Sequence, residues 1–289
     1  MNANIIYYNK NTTTDILNLK TVQISPFRIL ITALKDIIIE TNITFDAEGI
    51  RIITMDKSHT VLAHMMLYAK EFEHYHCEKE KIIIGVNMIH LFKLINSIDN
   101  DDTLTIYIDS EDYNDGIVSY LSLRFENESI MQCKTQKLRL IEPDKEEMIY
   151  PDVAFSSIIN LPSSDFQKII RDLSSISDRV EIESVGNELT FRCGGTFAIA
   201  EVKRMGTCVP PSQHNPCMEF KKRLDANKII TGIFSLKNLA YFIKCTNLCD
   251  QIELYLENDR PLIVKYDVAT LGELQLCLSP LPSSSNSIS

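Results

Sequence analysis

Apolar residues recur along this chain with two periods, which together predict a mixture of helices and strands. Phe27, Ile31, Leu34 and Ile38 follow one another at the three- to four-residue spacing of an amphipathic helix. Other segments alternate apolar and polar residues, as half-buried strands do. The pattern predicts helices at residues 26–40, 86–98, 163–176 and 235–246, and strands at residues 43–45, 50–54, 61–68, 81–85, 104–108 and 119–125.

The same order of apolar positions occurs twice. Residues 27–56 overlay residues 166–195 without a gap, and residues 86–108 overlay residues 234–256. Apolar positions match while polar positions differ, which is typical of two copies of one supersecondary unit. The chain is therefore predicted to be an α+β protein of two similar domains. The first overlay pairs Phe27 with Phe166, Ile31 with Ile170, Leu34 with Leu173, Ile37 with Ile176, Ile43 with Ile182 and Ile52 with Phe191.

Shifts in composition divide the chain into five sections. Residues 1–20 are rich in Asn and Thr and lie outside the repeats, so we expect an extension that is partly disordered or packed as an added edge. Residues 141–156 begin IEPDKEEMIYPDV, which has neither a helical nor a strand period and is typical of a linker. Residues 282–289 form a serine-rich tail. The predicted domains are residues 21–140 and 157–281.

The composition is ordinary for a soluble globular protein, with 45% hydrophobic and 24% charged residues among 289. The sequence holds no run of about eighteen apolar residues and no basic-then-apolar amino-terminal segment, so we predict neither a membrane span nor a secretory signal. The eight cysteines are then expected to stay reduced, inside the cell. A net charge of −10 argues against attraction of nucleic acid to the whole surface, although a local basic surface is compatible with it.

The four predicted helices share one feature on the side opposite their apolar stripes. In each of them the outer stripe holds basic or neutral residues and no Asp or Glu, although the protein is acidic overall. A single lysine on an outer helix face is usually just solvated, but four equivalent stripes indicate a common role. Their basic residues are Arg28 and Lys35, Lys93, Lys168 and Arg171, and Lys237 and Lys244.

Four segments together resemble proliferating cell nuclear antigen, the family of eukaryotic-type DNA sliding clamps. They are GIRIITMDKSHTVLAHMML at residues 49–67, GVNMIHLFKLI at 85–95, LPSSDFQKIIRDLSSISDRVEI at 161–182 and RPLIVKYDVATLGELQLCLSP at 260–280. The resemblance runs in order from about Val22 to Pro280. The amino-terminal extension and the Asn- and Ile-rich composition indicate a divergent member, from an AT-rich genome or from a large DNA virus.

This resemblance implies the DNA clamp fold and a ring of three chains around duplex DNA, with helices lining the hole and sheets joined edge to edge. Members are non-enzymatic processivity factors in DNA replication and repair, and their partners are DNA polymerase, the clamp loader and other client proteins. The basic stripes would then contact phosphates without reading sequence. Lys137 is implied as one more DNA-facing residue. We expect the subunit edges at residues 130–137 and 197–203, and a location in the nucleus or at a viral replication site.

The resemblance also implies a pocket beneath the linker that takes an apolar and aromatic plug from each client. Cys277 stands where relatives commonly have Tyr, and Tyr150 where they have a smaller aliphatic residue, so we expect a reshaped pocket. The implied docking residues are Met55, His59, Leu62, Met148, Tyr150, Phe155, Pro261, Cys277, Leu278, Ser279 and Pro280.

Two alternatives keep the fold and change the assembly. Clamp-like chains also act as subunits of heteromeric damage-signalling rings or as processivity factors that form no ring. Main-chain pairing at subunit edges leaves little side-chain signature to tell these apart. Basic stripes in both domains, together with a pocket in the same chain, favour a homotrimer.

A remote alternative is a metal-dependent nuclease, for which residues 101–102 and 109–115 supply acidic side chains. Neither group has a partner carboxylate on a predicted adjacent element, so solvated turn residues are the better interpretation. No cofactor, metal or catalytic residue is therefore assigned. Zinc would use His74, His76 and Cys77, or Cys208, His214 and Cys217, but their spacing matches no common ligand set.

Overall fold

The computed structural model of the chain describes residues 15–144, 148, 153–206, 217–225 and 227–282. The helices are α1 (Ile24–Ile37), α2 (Met88–Ile95), α3 (Ser163–Ser174) and α4 (Leu236–Phe242), and α4 continues as a 3-10 helix (Ile243–Leu248). The first domain contains β1 (Asp15–Thr21), β2 (Glu40–Asp46), β3 (Gly49–Met55), β4 (Val61–Tyr68), β5 (His74–Cys77), β6 (Lys81–Asn87), β7 (Thr103–Asp109), β8 (Tyr113–Asn114), β9 (Ile117–Val118), β10 (Tyr120–Asn127) and β11 (Gln132–Arg139). The second contains β12 (Ser157–Pro162), β13 (Arg179–Val185), β14 (Glu188–Gly194), β15 (Ile199–Met205), β16 (Glu219–Arg223), β17 (Ile230–Ser235), β18 (Gln251–Leu256), β19 (Leu262–Val268) and β20 (Gly272–Leu278).

The two domains repeat one order of elements, as the overlay of the sequence predicts. Each domain has a strand, a long helix, three strands, further strands, a short helix and a final antiparallel group. Thus β2 and β3 occupy in the first domain the places that β13 and β14 occupy in the second. The predicted α+β fold class, with two similar domains, is confirmed.

The chain forms three large antiparallel sheets, and one of them connects the two domains. One has the order β11-β10-β7-β1-β5 and lies in the first domain, and another has the order β15-β14-β13-β17 and lies in the second. The third runs through both domains as β16-β12-β18-β19-β20-β4-β3-β2-β6. In it β20 pairs with β4 over the whole of β20, from Gly272 opposite Leu67 to Leu278 opposite Val61. We call this pairing the internal seam.

The helices form one layer against the core side of these sheets. α1 buries Phe27, Leu30 and Leu34 with at most 5% exposure, which is the apolar stripe expected from the helical period. α2 begins where the Asn87 side chain accepts hydrogen bonds from two backbone N–H groups of the first turn. Ser235 caps α4 in the same way. α1 packs on α2 and on the 3-10 helix that follows α4, so the layer is continuous across the two domains.

The amino-terminal boundary of the first domain lies earlier than the predicted residue 21. β1 lies between β5 and β7 and pairs with both, so it is an inner strand and neither an extension nor an added edge. Its alternation buries Leu17, Leu19 and Thr21 on the core side. The Asn- and Thr-rich composition around it concealed this short strand. Among the described residues, no helix is long and apolar enough to cross a membrane.

Candidate docking cavity and inner helix face

A row of apolar side chains crosses the internal seam on the side away from the core. Met55 pairs with Leu62, Leu62 with Cys277, Cys277 with Ile263, and Ile263 with Tyr255. Directly paired residues of an antiparallel sheet point to the same face, so the five side chains form one continuous band. We call it the seam row.

The seam row is the floor of a small cavity of about 150 Å³. Phe155, at the end of the linker, covers one side of it and packs edge-on against Tyr255 with ring centroids 5.6 Å apart. The surface of the cavity is almost entirely apolar, which suits an apolar or aromatic side chain. The lining residues are Met55, Thr60, Leu62, Val153, Phe155, Pro261, Ile263, Cys277 and Ser279.

Phe155 is held in place by the residue that follows it. The backbone N–H of Ser156 donates to Glu257 Oε2 at 2.9 Å, and the Ser156 hydroxyl donates to the same oxygen. Lys228 Nζ donates to Glu257 Oε1 at 2.6 Å. Partial burial raises the pKa of Glu257, but the hydrogen bonds from Lys228 and Ser156 outweigh it and lower the pKa to about 2. The linker is therefore anchored beside the cavity by an ionised carboxylate.

Of the predicted docking residues, Met55, Leu62, Phe155, Pro261, Cys277 and Ser279 line this cavity. Leu278 does not, because the alternation of β20 turns it to the opposite face, where it is 1% exposed within the core. Its assignment to the cavity is therefore corrected. Pro280 lies past β20 and is also absent from the lining.

Two further predicted docking residues, His59 and Met148, lie elsewhere. His59 is at the exposed tip of the β3–β4 turn, with φ of 55°, while its neighbour Thr60 reaches the cavity. Asp56 shapes this turn by accepting hydrogen bonds from the backbone N–H groups of Thr60 and Val61. Met148 lines a larger cavity of about 960 Å³ over β2, β3 and β6. Tyr150 lies outside the described residues.

Three residues that line the cavity are not among the predicted docking residues, namely Thr60, Val153 and Ile263. Ile263 lies two residues after Pro261, and the two-residue period of a strand could have placed both on one face. Thr60 and Val153 lie in a turn and in the linker, where no period indicates the direction of a side chain.

On the other side of the molecule, four predicted cations lie exposed on the helix layer. Lys93 is on α2, Lys168 and Arg171 are on α3, and Lys237 is on α4. None of the four makes a hydrogen bond or an ion pair within the part of the chain that the structure describes. We call the exposed side of these helices the inner helix face.

The other helix-borne cations have partners. Arg28 is half-buried and donates to Asn100 Oδ1 at 2.8 Å. Lys35 and Lys244 both contact the carboxylate of Asp36, each at 2.6 Å. The expectation that the basic stripes hold no acidic residue is therefore wrong for α1, because Asp36 lies beside Lys35 and reaches across to Lys244.

Lys137 does not belong to the inner helix face. Lys137 is paired with Ser122, which is paired in turn with Tyr107, so the three side chains share one face of the sheet. The opposite face, which the helices cover, carries the buried residues Leu121, Leu123 and Leu138. Lys137 therefore points away from the helices and forms an ion pair with Asp112 at 2.7 Å. Its implied DNA-facing position is corrected on this geometry.

The described residues contain no group of three or more His, Cys, Asp or Glu side chains placed to hold a metal ion. His76 and Cys77 are adjacent in β5, so their side chains point to opposite faces. Asp102 accepts a hydrogen bond from Asn127 within a turn, and Asp112 pairs with Lys137. Cys208 and His214 lie outside the described residues.

Comparison with known proteins gives two family matches that cover almost the whole chain. The model of the proliferating cell nuclear antigen N-terminal domain matches residues 16–147, and that of the C-terminal domain matches residues 149–281.

Individual relatives agree with these matches. A proliferating cell nuclear antigen of Chaetomium thermophilum is 30% identical over 92% of this chain and 98% of its own length. A probable DNA polymerase sliding clamp 1 of Paramecium bursaria Chlorella virus 1 is 29% identical over 93% of this chain and 98% of its own. A probable DNA polymerase sliding clamp of Acanthamoeba polyphaga mimivirus is 32% identical over 81% of this chain, which spans only 47% of that relative.

Proposed function

The chain belongs to the proliferating cell nuclear antigen family and functions as a DNA polymerase sliding clamp, and we propose that it does so as a closed ring of three copies around duplex DNA. One observation supports this proposal. Among the described residues, the strands that correspond to β20 and β4 in the other copy of the repeat are each unpaired along one edge. In the sheet order, β11 takes the place in the first domain that β20 takes in the second, and β15 takes the place of β4. β20 and β4 are paired inside the chain, whereas β11 and β15 each end a sheet.

A second copy can therefore supply β15 to β11 in the way that β4 is supplied to β20. Such a contact joins two different surfaces, so it repeats from copy to copy and closes into a ring when the rotation permits. Three copies give six similar domains, the number that the family resemblance implies. Unpaired strand edges are avoided in isolated chains, which favours their pairing in an assembly.

The repeat also predicts the register of this pairing. Tyr107 and Tyr255 are equivalent in the overlay, and pairing outward from them makes Lys137 equivalent to Cys277. By the same steps Ile199 is equivalent to Leu62. Because Cys277 pairs with Leu62 in the internal seam, Lys137 should lie opposite Ile199 of the neighbouring copy, and Thr135 opposite Glu201.

Exposed apolar side chains at the two open edges support the pairing. Phe197, just before β15, and Ile199, its first residue, are each 74% exposed, and Ile130 and Met131 before β11 are 62% and 73% exposed. Burial of such side chains against another copy would remove apolar surface from water.

The assembly is tested by mass and by cross-linking. Light scattering should give about three times the chain mass of 33.0 kDa. In a Cys133→Ser background, Thr135→Cys with Glu201→Cys should form disulfides between chains on oxidation. Thr135→Cys with Met205→Cys should not, because four residues of strand add about 13 Å, beyond the reach of a disulfide. A strictly monomeric mass at high micromolar concentration, or equal cross-linking of both pairs, contradicts the proposed ring.

Within this ring the inner helix face meets DNA. Phosphates are contacted by the four exposed cations, which are Lys93, Lys168, Arg171 and Lys237. Positive charge is also supplied by three cations that are bonded to Asn100 or Asp36, namely Arg28, Lys35 and Lys244. Contacts to phosphate carry no sequence information, so the clamp can slide. The acidic remainder of the surface disfavours wrapping of DNA around the outside.

The docking cavity receives client proteins, in our proposal DNA polymerase, the clamp loader and repair enzymes that carry an apolar and aromatic plug. The clamp itself acts as a non-catalytic tether within the cell, in the nucleus or at a viral replication site. A heteromeric ring would place other chains at β11 and β15, and the mass of the purified chain alone separates that alternative from a homotrimer.

A further inference from the structure

One carboxylate at the boundary between the two domains contacts two of the predicted DNA-facing lysines. Asp36 lies in the last turn of α1, in the first domain, and its Oδ1 is 2.6 Å from Lys35 Nζ. Its Oδ2 accepts a hydrogen bond of 2.6 Å from Lys244 Nζ, which belongs to the 3-10 helix of the second domain. A single Asp therefore joins two cations that come from different domains.

Aromatic rings hold both lysines beside this carboxylate. Lys35 Nζ lies 4.7 Å from the centroid of the Phe92 ring, and Lys244 Nζ lies 5.2 Å from that of Tyr241. Partial burial raises the pKa of Asp36, but hydrogen bonds from Lys244 and Lys35 outweigh it, so that the pKa lies below its ordinary value. The carboxylate is therefore ionised near neutral pH, when DNA is also fully charged.

The remaining exposed cations of the inner helix face differ in this respect. Lys93, Lys168, Arg171 and Lys237 have no carboxylate within ion-pair distance among the described residues. Charge on this face is thus of two kinds: lysines and an arginine open to an approaching phosphate, and two lysines that share the carboxylate of Asp36, which offsets one of their two charges.

We propose that Asp36 is an internal counter-anion that competes with DNA phosphates for Lys35 and Lys244 and so weakens the hold of the clamp on the duplex. This inference rests on the proposed clamp function, because it concerns how tightly the inner helix face binds DNA. A phosphate that approaches either lysine competes with the carboxylate of Asp36 for the positive charge. Fewer counterions are then released on binding, which lowers both the affinity and its dependence on salt.

The ion pairs are suited to such competition because they are not deeply buried. The side chains of Lys244 and Asp36 are 45% and 28% exposed. Half-exposed ion pairs are weak, and a phosphate that approaches through solvent can replace the carboxylate. A clamp that must slide gains from this arrangement, since a weaker grip lowers the barrier between neighbouring positions on DNA.

The first test compares two substitutions with the same change of charge. Asp36→Asn frees both lysines, whereas Asp172→Asn removes an exposed carboxylate of α3 that makes no ion pair among the described residues. Binding to a short labelled duplex with open ends is followed by fluorescence anisotropy over about 20 to 200 mM NaCl. We expect Asp36→Asn to bind about threefold to tenfold more tightly than the wild type, with a salt slope steeper by about 1, and Asp172→Asn to change affinity less than about twofold.

The second test compares two lysines and does not depend on the folding of Asp36→Asn. Lys237→Gln should weaken binding by about threefold or more, whereas Lys244→Gln should weaken it less than about twofold, because Lys244 is already paired with Asp36. In the Asp36→Asn background the two substitutions should become equivalent. Melting temperatures of all variants report any loss of fold separately.

Each outcome decides one of the two proposals. Equal tightening by Asp36→Asn and Asp172→Asn, weaker binding by Asp36→Asn, or equal losses from Lys237→Gln and Lys244→Gln in the wild-type background overturn the role of Asp36 and leave the clamp function standing. No binding of the wild type to duplex at the lowest salt overturns the proposed DNA contact and, with it, this inference.

Discussion

The internal seam and the two open strand edges are equivalent places in a repeated fold, yet their side chains differ. At the seam the row away from the core is apolar, with Leu62 opposite Cys277 and Ile263 beyond it. At the open edges the equivalent positions are Ile199, Lys137 and Ser122, so in the proposed ring an exposed isoleucine would lie opposite a lysine, with a serine beyond it. The repeat therefore contains one joint inside the chain, which carries a cavity, and two open edges at which the equivalent positions are more polar.

The difference extends to the core side of the same strands. β20 presents Leu274, Leu276 and Leu278 to the core, each at most 1% exposed. β11 presents Lys134, Gln136 and Leu138 at the equivalent positions, of which only Leu138 is buried, and Lys134 donates to Ser97 at 3.0 Å. The proposed contact between β11 and β15 of two copies should thus be weaker than the internal seam, so the ring should open between copies. Only the three internal seams carry the cavity, so the ring should bind clients at three of its six joints.

The largest effect is expected from breaking the core side of the internal seam. Leu278→Asp buries a charge with no partner and should lower the free energy of unfolding by about 4 kcal/mol or more. Leu62→Asp, on the cavity side of the same seam, can reach solvent and should cost about 1 kcal/mol. Urea unfolding of the two variants measures the contrast. Equal losses would mean that the two faces of the seam are not distinct.

A smaller effect is expected at the open edges. Glu201 on β15 pairs with Arg192 at 2.6 Å, and the proposed neighbour supplies the basic strand β11. Glu201→Arg places a positive charge beside Arg192 of the same chain and opposite the basic strand β11 of the neighbouring copy. The trimer should therefore dissociate at about 10- to 100-fold higher concentration than the wild type. Glu188→Arg, on the inner strand β14, is the matched control and should change this midpoint less than about threefold. Light scattering over a dilution series is the measurement, and similar shifts for both variants would contradict the proposed edge.

The cavity itself is tested by truncation of its cover. Phe155→Ala should weaken binding of a client-type peptide by about 2 kcal/mol, because it removes the aromatic wall against which an apolar plug packs. Met148→Ala should leave the affinity unchanged, since Met148 lines the other, larger cavity. Calorimetric titration measures both. A loss with Met148→Ala alone would move the docking site away from the internal seam.

The smallest expected effect concerns pH. The pKa of Glu257 is lowered to about 2 in the folded chain, so this group stabilises the fold fully above the pKa of about 4.3 expected in the unfolded chain. That contribution is lost as the pH falls from about 4.3 towards 2. Glu257→Gln should therefore flatten this part of the pH dependence of the melting temperature. If the melting temperature of Glu257→Gln falls as steeply with acid as that of the wild type, the carboxylate does not anchor the linker.

The sequence predicted the repeat and the helix faces well, because both depend on periods that survive in the apolar residues. Val61–Tyr68 forms the predicted strand to the residue, and Lys93 and Lys168 are exposed as the helical period requires. Leu278 was assigned to the cavity from its place in a motif, although the two-residue period of β20 puts it in the core. Contacts between distant segments, such as Asp36 with Lys244, depend on how the domains pack, and no local pattern reports them.

The most direct test of the central claim asks whether the protein must pass over a DNA end to bind. A linear duplex carries a biotin at each end, and streptavidin is added either before or after the protein. A ring that stays closed during the experiment cannot thread onto a duplex blocked beforehand, and it cannot leave one blocked afterwards. We therefore predict no association when the ends are blocked first and prolonged retention when they are blocked last. Equal association in the two orders of addition would contradict encirclement.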